Sequence, residues 1–450
     1  MKKEIAILGA GESGVGAALL ARQQGYAVWV SDAGVISPSR KLLLTENGIG
    51  FEEGMHSEEK ILSASEIIKS PGIPEKVGIV QKAIEKGIPV IDELEFAFRY
   101  TKGKVIAITG TNGKTTTTLL TYHLLKKGGL NVGLGGNVGE SWAAQLVNGD
   151  RDWWVLEVSS FQIDGFKALK PSIAILTNIT PDHLDRYNYK IENYIASKIS
   201  LFKNMDDKGA TIYWLDDQLI QSGFQKVDLK AETFPFSLKE PQNKGGYFDG
   251  NAINVQALGK KLTINPKDII LKGTHNMLNT MSATLAATIA GVSEEAIREG
   301  LKDFKNAAHR MEPVATIDGI AFINDSKGTN VDATAYALDS FKAPLIWIAG
   351  GVDKGNEYAA LYPLTDGKVK MLICLGLDNE KLKKAFGGRI PSIVETQSIA
   401  EAVALGLEHG KAGDVVLLSP ACASFDLFKN YEDRGNQFKA AVAALTATTT

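Results

Sequence analysis

Short, wholly apolar runs recur along this 450-residue chain, each bounded by turn residues and many followed by a helix-like stretch. They are Ile5–Leu8, Ala27–Val30, Val105–Ile108, Trp153–Leu156, Ile173–Leu176, Leu345–Ile348, Met371–Cys374 and Val415–Leu418. A run with no polar face predicts a strand buried on both sides. A strand, a glycine turn and a helix, repeated, predict a parallel sheet with crossover helices. The runs fall into three groups: before about residue 98, from Val105 to about residue 300, and after His309-Arg310. Residues 221–266 break the pattern, being polar and rich in Lys, Gly and Asn. With an Asp249-Gly250 turn between strand-like runs, they read as a β-rich excursion of the middle group. Helices are expected over 276–290 and 293–304, the second capped by Ser293, and the tail 446–450 is expected to fray.

Charge and composition exclude several classes. Lys plus Arg number 49 and Asp plus Glu 52, a net charge of −3 that argues against a polyanion binder. Cys374 and Cys422 are too few for a disulfide framework or a zinc cage, and fit a reducing compartment. No signal-peptide core precedes the first glycine turn, and no apolar run reaches the ~18 residues of a membrane span. The expectation is a cytoplasmic, monomeric, multidomain α/β protein that acts on small molecules, with no nucleic-acid or membrane partner.

Two glycine loops carry the chemistry. Gly9-Ala10-Gly11-Glu12-Ser13-Gly14 follows a strand and opens a helix, and Asp32 ends the next strand about 20 residues on. Taken alone this pattern favours NAD over another nucleotide diphosphate or a purely structural turn, but it cannot distinguish them, because any pyrophosphate suits a helix N-terminus. Gly110-Thr111-Asn112-Gly113-Lys114-Thr115-Thr116 also joins a strand to a helix. Its backbone amides, lysine and hydroxyl fit phosphates and Mg2+. The usual spacing would require glycine at Ile108, so the loop is a shortened variant. Glu157 ends an apolar strand, where a carboxylate can meet a metal held by that loop. His183 and Lys198, read alone, are a structural histidine and a solvated helix lysine.

Gly110–Thr116 resembles the ATP loop of the Mur ligases and their relatives, the folylpolyglutamate synthases. Further segments match in order: Gly136–Gly139, Glu157–Gln162, Thr177–Tyr187, Gly273–Asn279, His309-Arg310, Asn324–Lys327, Gly350–Gly355, Ser419–Ser424 and Arg434-Gly435. The resemblance covers nearly the whole chain. It implies an α/β fold of three domains: Rossmann-like at 1–98, a central P-loop ATPase-like parallel sheet with a β-rich excursion at 99–306, and Rossmann-like at 307–450. Glu157–Gln162 and Ser419–Ser424 are most similar to members that join D-glutamate to UDP-N-acetylmuramoyl-L-alanine through an acyl phosphate. The implied role is an ATP-dependent amide ligase of peptidoglycan precursor synthesis.

The resemblance also implies site roles. Gly11, Ser13, Gly14, Asp32, Gly72, Asn137 and Ser159 would bind the UDP-sugar, with Gly72 in the Ser70-Pro71-Gly72 turn. Glu12 departs from what a pyrophosphate tolerates unless it points away. Gly110, Thr111, Asn112, Gly113, Lys114, Thr115, Thr116, Asn276, Asn279, Arg310, Asp325 and Lys327 would bind ATP. In this scheme Arg310 reaches the γ-phosphate on closure and Asp325 meets the ribose. Thr115, Glu157, His183 and a carbamylated Lys198 would hold two Mg2+ ions. Thr329, Lys354, Ser424 and Tyr431 would receive D-glutamate, with Ser424 expected to open a helix and Tyr431 standing where the family has phenylalanine. Lys114, Asn137, His183, Lys198, Arg310 and Lys354 form the implied catalytic set. Three rivals remain: a family member with another substrate, an NAD-dependent oxidoreductase and a non-enzymatic nucleotide switch. The Gly-Ala-Gly N-terminal domain argues against folate, and an oxidoreductase leaves Gly110–Thr116 without a role.

Overall fold

The computed structural model describes residues 3–448. They form three sheets. The first contains β1 (Glu4–Leu8), β2 (Ala27–Asp32), β3 (Gly50–Glu53), β4 (Glu66–Lys69) and β5 (Val90–Ile91). Its order is β3-β2-β1-β4-β5 and every pairing is parallel. The second contains β6 (Lys104–Thr109), β7 (Val132–Gly136), β8 (Trp153–Glu157), β9 (Ile173–Leu176), β10 (Ala210–Trp214), β11 (Glu232–Ser237), β12 (Gly245–Phe248), β13 (Ile253–Ala257) and β14 (Lys260–Ile264). Seven strands from β7 to β12 run parallel, and β13 and β14 close the far edge as an antiparallel meander. The polar stretch thus extends the central sheet, with its Asp249-Gly250 turn between β12 and β13.

The third sheet contains β15 (Glu312–Ile317), β16 (Ile320–Asn324), β17 (Leu345–Ala349), β18 (Val369–Leu375), β19 (Ser392–Thr396) and β20 (Val415–Leu418), in the order β15-β16-β20-β17-β18-β19. Only β15 runs antiparallel. Its apolar runs are explained by two-sided burial. Leu345, Trp347 and Leu417 enter one core, while Ile346, Ile348, Val416 and Leu418 enter the other. Period-two side-chain alternation with helices on both faces demands apolar residues at every position.

The chain divides into two compact units. One comprises Met1–Ile270 with Leu278–Asp303, and the other Leu271–Met277 with Phe304–Thr450. In the first unit the two sheets are joined by buried carboxylates. Glu93 accepts hydrogen bonds from the Ser141 hydroxyl (2.8 Å) and the Ala143 amide (2.7 Å). Glu95 accepts from the amides of Lys167, Ala168 and Leu169. One core runs from Ile5 through Trp142 and Trp154 to Ile220.

The two expected helices occur at Thr274–Ile289 and Glu294–Asp303, and the Ser293 hydroxyl accepts the Ala296 amide at 3.3 Å. The tail departs from expectation. The last helix, Tyr431–Thr448, continues through 446–448, and the Thr446 hydroxyl donates to the Ala443 carbonyl. The remaining two residues of the expected frayed tail lie outside the described residues.

Candidate active site

The loop after β6 is built for close packing against β9. Gly113 has φ +80° and caps the helix Lys114–Lys127, and an added Cβ would overlap the Asn279 side chain. Asn178 holds the loop from behind. Its Oδ1 accepts the Asn112 amide, its Nδ2 donates to the Asn112 carbonyl, and its own carbonyl accepts the Thr111 amide. Thr177 donates to the same Asn112 carbonyl at 2.7 Å, and Thr111 donates to the Thr180 carbonyl. These anchors take up the Thr111 and Asn112 amides and fix the helix N-terminus that begins at Lys114, a position suited to phosphate. Lys114 donates to the carbonyls of Gly110 and Thr111. Thr115 is buried in the first turn beside Thr116, and Thr117 donates to Asn279 at 3.2 Å.

Glu157 closes β8 and is buried. Its Oε1 accepts from Asn137 Nδ2 at 2.9 Å, while its Oε2 has no hydrogen-bond partner. A buried carboxylate oxygen left without a donor is costly, and a divalent cation satisfies it. Among the described residues no three His, Cys, Asp or Glu side chains form a cage. A hydroxyl, one carboxylate and nucleotide oxygens fit Mg2+, which keeps several non-protein ligands. His183 lies on the loop after β9 with φ +52°, largely exposed, 3.7 Å from Asp182 and edge-on to Phe161. Ser159 uses its hydroxyl in a capping box with Gln162.

Lys198 overturns the solvated-lysine reading. It is 1% exposed on the helix Ile191–Ile199, and its ammonium donates to the Gly110 carbonyl at 2.9 Å. Burial, reinforced by the neighbouring Lys114 charge, holds its pKa well below the ordinary lysine range. The Tyr194 ring lies 4.6 Å from the ammonium, and the Asp182 and Asp164 charges oppose the shift.

At the first sheet, the glycine loop is shaped by contact. A Cβ at Gly14 would overlap the Gly9 carbonyl, whereas Gly11 and Gly72 face open space. Both oxygens of Asp32 are engaged, one by the Ala10 amide at 2.6 Å and the other by the Gly34 amide at 2.8 Å. Ser13 lies half-buried in the first helical turn. Glu12 turns away from the loop and accepts the Ser141 amide at 3.1 Å.

In the second unit, loops at the strand ends of β16, β17 and β20 gather around Arg434. This arginine is 1% exposed and donates to the carbonyls of Ser326, Gly350 and Cys422 and to the Ser326 hydroxyl. Sequence reasoning did not assign it a role, and the only signal is its place in the Arg434-Gly435 match. Asp325 is buried, with its oxygens taken by Ser419 at 2.8 Å and the Met311 amide. Burial, partly offset by Arg310, raises its pKa to about 6. Arg310 Nε is buried without a partner. Lys327 lies 5.3 Å from the Tyr431 ring, and the Tyr431 carbonyl accepts the Ser326 hydroxyl. Thr329 is half-buried near Lys327, and Lys354 is exposed on the loop after β17. Ser424 opens no helix. It is buried in a turn whose carbonyl accepts the Phe428 amide, and the next helix begins at Tyr431. Asn276 lies in the first turn of Thr274–Ile289, bonded to the Lys272 carbonyl.

Three α/β sheets, with a loop suited to phosphate on the second and a loop cluster on the third, fit a nucleotide-using enzyme. The family models agree. The Mur ligase MurD-like N-terminal domain matches residues 3–92, the Mur ligase middle domain 108–287, and the Mur ligase glutamate ligase domain 309–422. The chain belongs to the Mur ligase family, whose members are amide ligases that use ATP and Mg2+. It is 49% identical to the UDP-N-acetylmuramoylalanine–D-glutamate ligase of Christiangramia forsetii, over 99% of this chain and 100% of that one. The protein of the same name from Porphyromonas gingivalis (strain W83) is 47% identical over 99% of each chain. The fold is also that of a pseudomurein peptide ligase from Methanothermus fervidus, with a TM-score of 0.64 at 19% identity, covering 99% and 100% of the two chains. No helix among the described residues is long and apolar enough to cross a membrane.

Proposed function

We propose that this chain joins the amine of D-glutamate to the carboxylate of UDP-N-acetylmuramoyl-L-alanine, converting ATP to ADP and phosphate. The observation that carries this reading is full-length likeness, at 49% identity, to a ligase named for that reaction. The substrate carboxylate attacks the γ-phosphorus and ADP leaves, giving an acyl phosphate. The D-glutamate amine then adds to the acyl carbon, phosphate is expelled, and the amine proton is lost. The detour is needed because oxide is a poor leaving group and phosphate a good one.

Catalysis here is positioning and charge stabilisation. The Gly110–Thr116 loop and the helix N-terminus it opens orient the phosphates, and Lys114 supplies positive charge to the β- and γ-oxygens. Asn276 and Asn279 serve the adenine, Asp325 the ribose, and Lys327 and Arg310 the phosphates. Gly11, Ser13, Gly14 and Gly72 bind the UDP-sugar with Asn137. Asp32 and Ser159 serve the same site, their side chains also fixing the local backbone. In the second unit Thr329, Lys354, Ser424 and Tyr431 receive D-glutamate, Tyr431 through its backbone.

Thr115 and Glu157 would hold one Mg2+ ion, and His183 with a modified Lys198 a second; bound Mg2+ neutralises phosphate charge. Lys198 carries a carbamate in this reading. Its neutral nitrogen adds to the carbon of CO2, one C=O bond opens to an oxyanion, and a proton leaves the nitrogen. A buried amine beside Lys114 is poised for this, because both ammonium groups otherwise share the Gly110 carbonyl. We read the protein as a cytoplasmic monomer with small-molecule substrates and with domains at 1–98, 99–306 and 307–450.

Isotope transfer tests the chemistry. With 18O in the substrate carboxylate, one labelled oxygen should appear in released phosphate for each amide formed. Unlabelled phosphate would rule out the acyl phosphate.

A further inference from the structure

The loops after β17 and β20 are joined by a side-chain network that none of the roles above uses. Backbone bonds start the pairing. The Gly350 amide donates to the Pro420 carbonyl at 3.0 Å, and Val352 and Ala423 exchange amide-to-carbonyl bonds of 2.8 and 3.2 Å. Beyond Val352 the chain leaves that pairing in a turn. Asp353 Oδ1 accepts the amides of Gly355 (2.7 Å) and Asn356 (2.9 Å), so Lys354 stands at the tip of a turn closed by the carboxylate before it. Asp353 also accepts from the Tyr358 hydroxyl at 2.8 Å and from Lys381 at 3.2 Å. Burial opposes its charge, but these bonds outweigh it and hold the carboxyl below the usual carboxylate range.

Asn356 ties this turn back to the β20 loop. Its Nδ2 lies 3.1 Å from the Ala421 carbonyl, 3.2 Å from the Tyr358 hydroxyl and 3.4 Å from Cys422 Sγ. A carbonyl can only accept, so the side-chain amide must turn its NH2 group toward Ala421. The Tyr358 hydroxyl, itself 3.3 Å from Cys422 Sγ, gives its proton to Asp353 and keeps a lone pair for the second N–H. Ala421 has φ +59°, a left-handed conformation unusual for a residue with a side chain, and its amide donates to the Gly328 carbonyl at 3.0 Å. Backbone strain of this kind persists where the surroundings over-determine it, and the Asn356 bond is one of the contacts that do so. Three residues further on stands the buried Ser424.

We propose that Asn356 is a positioning residue for the incoming amino acid: it fixes the Lys354 turn against the Ala421–Ser424 segment, with Asp353 and Tyr358 orienting its side-chain amide. A dicarboxylic amino acid needs a cation and a hydroxyl at a set spacing. A turn free to swing would keep Lys354 but lose its distance from Ser424. This inference rests on the D-glutamate reading above.

Initial rates of phosphate release by the full chain test it, with D-glutamate, ATP and UDP-N-acetylmuramoyl-L-alanine varied in turn. Asn356→Leu keeps the size of the side chain but removes both donors. The KM for D-glutamate should rise about tenfold or more, while the other two KM values stay within about twofold of wild type. Tyr358→Phe loses only the hydroxyl that orients the amide, and should give a smaller rise of about threefold in the same KM alone. A folded Asn356→Leu protein with the wild-type KM for D-glutamate overturns the proposal, as does an equal rise in all three KM values; the substrate reading survives both. A wild type that turns over another amino acid in place of D-glutamate removes both readings. If Asn356→Leu fails to fold, Tyr358→Phe decides the matter, and an unchanged KM for D-glutamate in that variant overturns the proposal.

Discussion

Lys114 and Lys198 place two ammonium groups on one carbonyl oxygen, that of Gly110. Burial, reinforced by the Lys114 charge, holds the Lys198 pKa well below the ordinary lysine range, which favours the neutral amine that a carbamate requires. Lys198→Ala should therefore abolish most turnover, and added short-chain carboxylic acids should partly restore it by supplying an anionic oxygen. Full activity of that variant at low bicarbonate would return Lys198 to a structural role. Lys114→Ala should lower turnover by at least ~10²-fold, about 2.7 kcal/mol of transition-state stabilisation. Near wild-type turnover at saturating ATP would contradict its place on the phosphates. Gly113→Ala tests the loop itself, since φ of +80° and the adjacent Asn279 leave no room for a side chain. The ATP KM should rise while the melting temperature falls modestly, in line with a strain on the order of 1–2 kcal/mol.

At the scale of elements, the helix Glu93–Phe98 is capped by Asp92, whose Oδ1 accepts the Glu95 amide at 2.8 Å. The other oxygen is buried without a partner, and burial pushes the carboxyl up to about 8. A folded-state pKa above the unfolded value means that the folded state holds the proton longer. The stability from this group is complete below about pH 4 and is lost as pH rises through about 8. Asp92→Asn keeps a cap-competent side chain without the charge. Its stability relative to wild type should rise between pH 5 and pH 8, by on the order of 1–3 kcal/mol. Denaturant midpoints at the two pH values measure this, and a pH-independent difference would show Asp92 ionised throughout. The strands were legible because two-sided burial leaves no polar face to confuse the pattern, as in Leu345–Ile348. Burial of Lys198 was not legible. Tyr194-Ile-Ala-Ser-Lys198 reads as a helix turn with a surface lysine, and only the Gly110 carbonyl, 88 residues away in sequence, makes it internal. Ser424 misled for a related reason. Its loop is held by distant backbone bonds to Val352 and by Arg434 on the Cys422 carbonyl, not by a local helix.

For the whole molecule, the grouping of apolar runs anticipated three sheets, and the polar stretch at 221–266 proved to be an edge of the second. The phosphate loop was readable as chemistry because glycine, lysine and hydroxyl are contiguous. The surfaces around Asp325 and Arg434 were not, because they join strand ends far apart in sequence and appear only when β16, β17 and β20 lie side by side. Substrate identity belongs to this scale, since the residues proposed for the UDP-sugar, ATP and D-glutamate lie on separate sheets. It is tested most directly by phosphate release with UDP-N-acetylmuramoyl-L-alanine, ATP and Mg2+ across a panel of amino acids. D-glutamate should support rapid release, with L-glutamate and L-alanine near the background rate. Equal release with L-alanine, or release independent of any amino acid, would contradict the D-glutamate ligase reading.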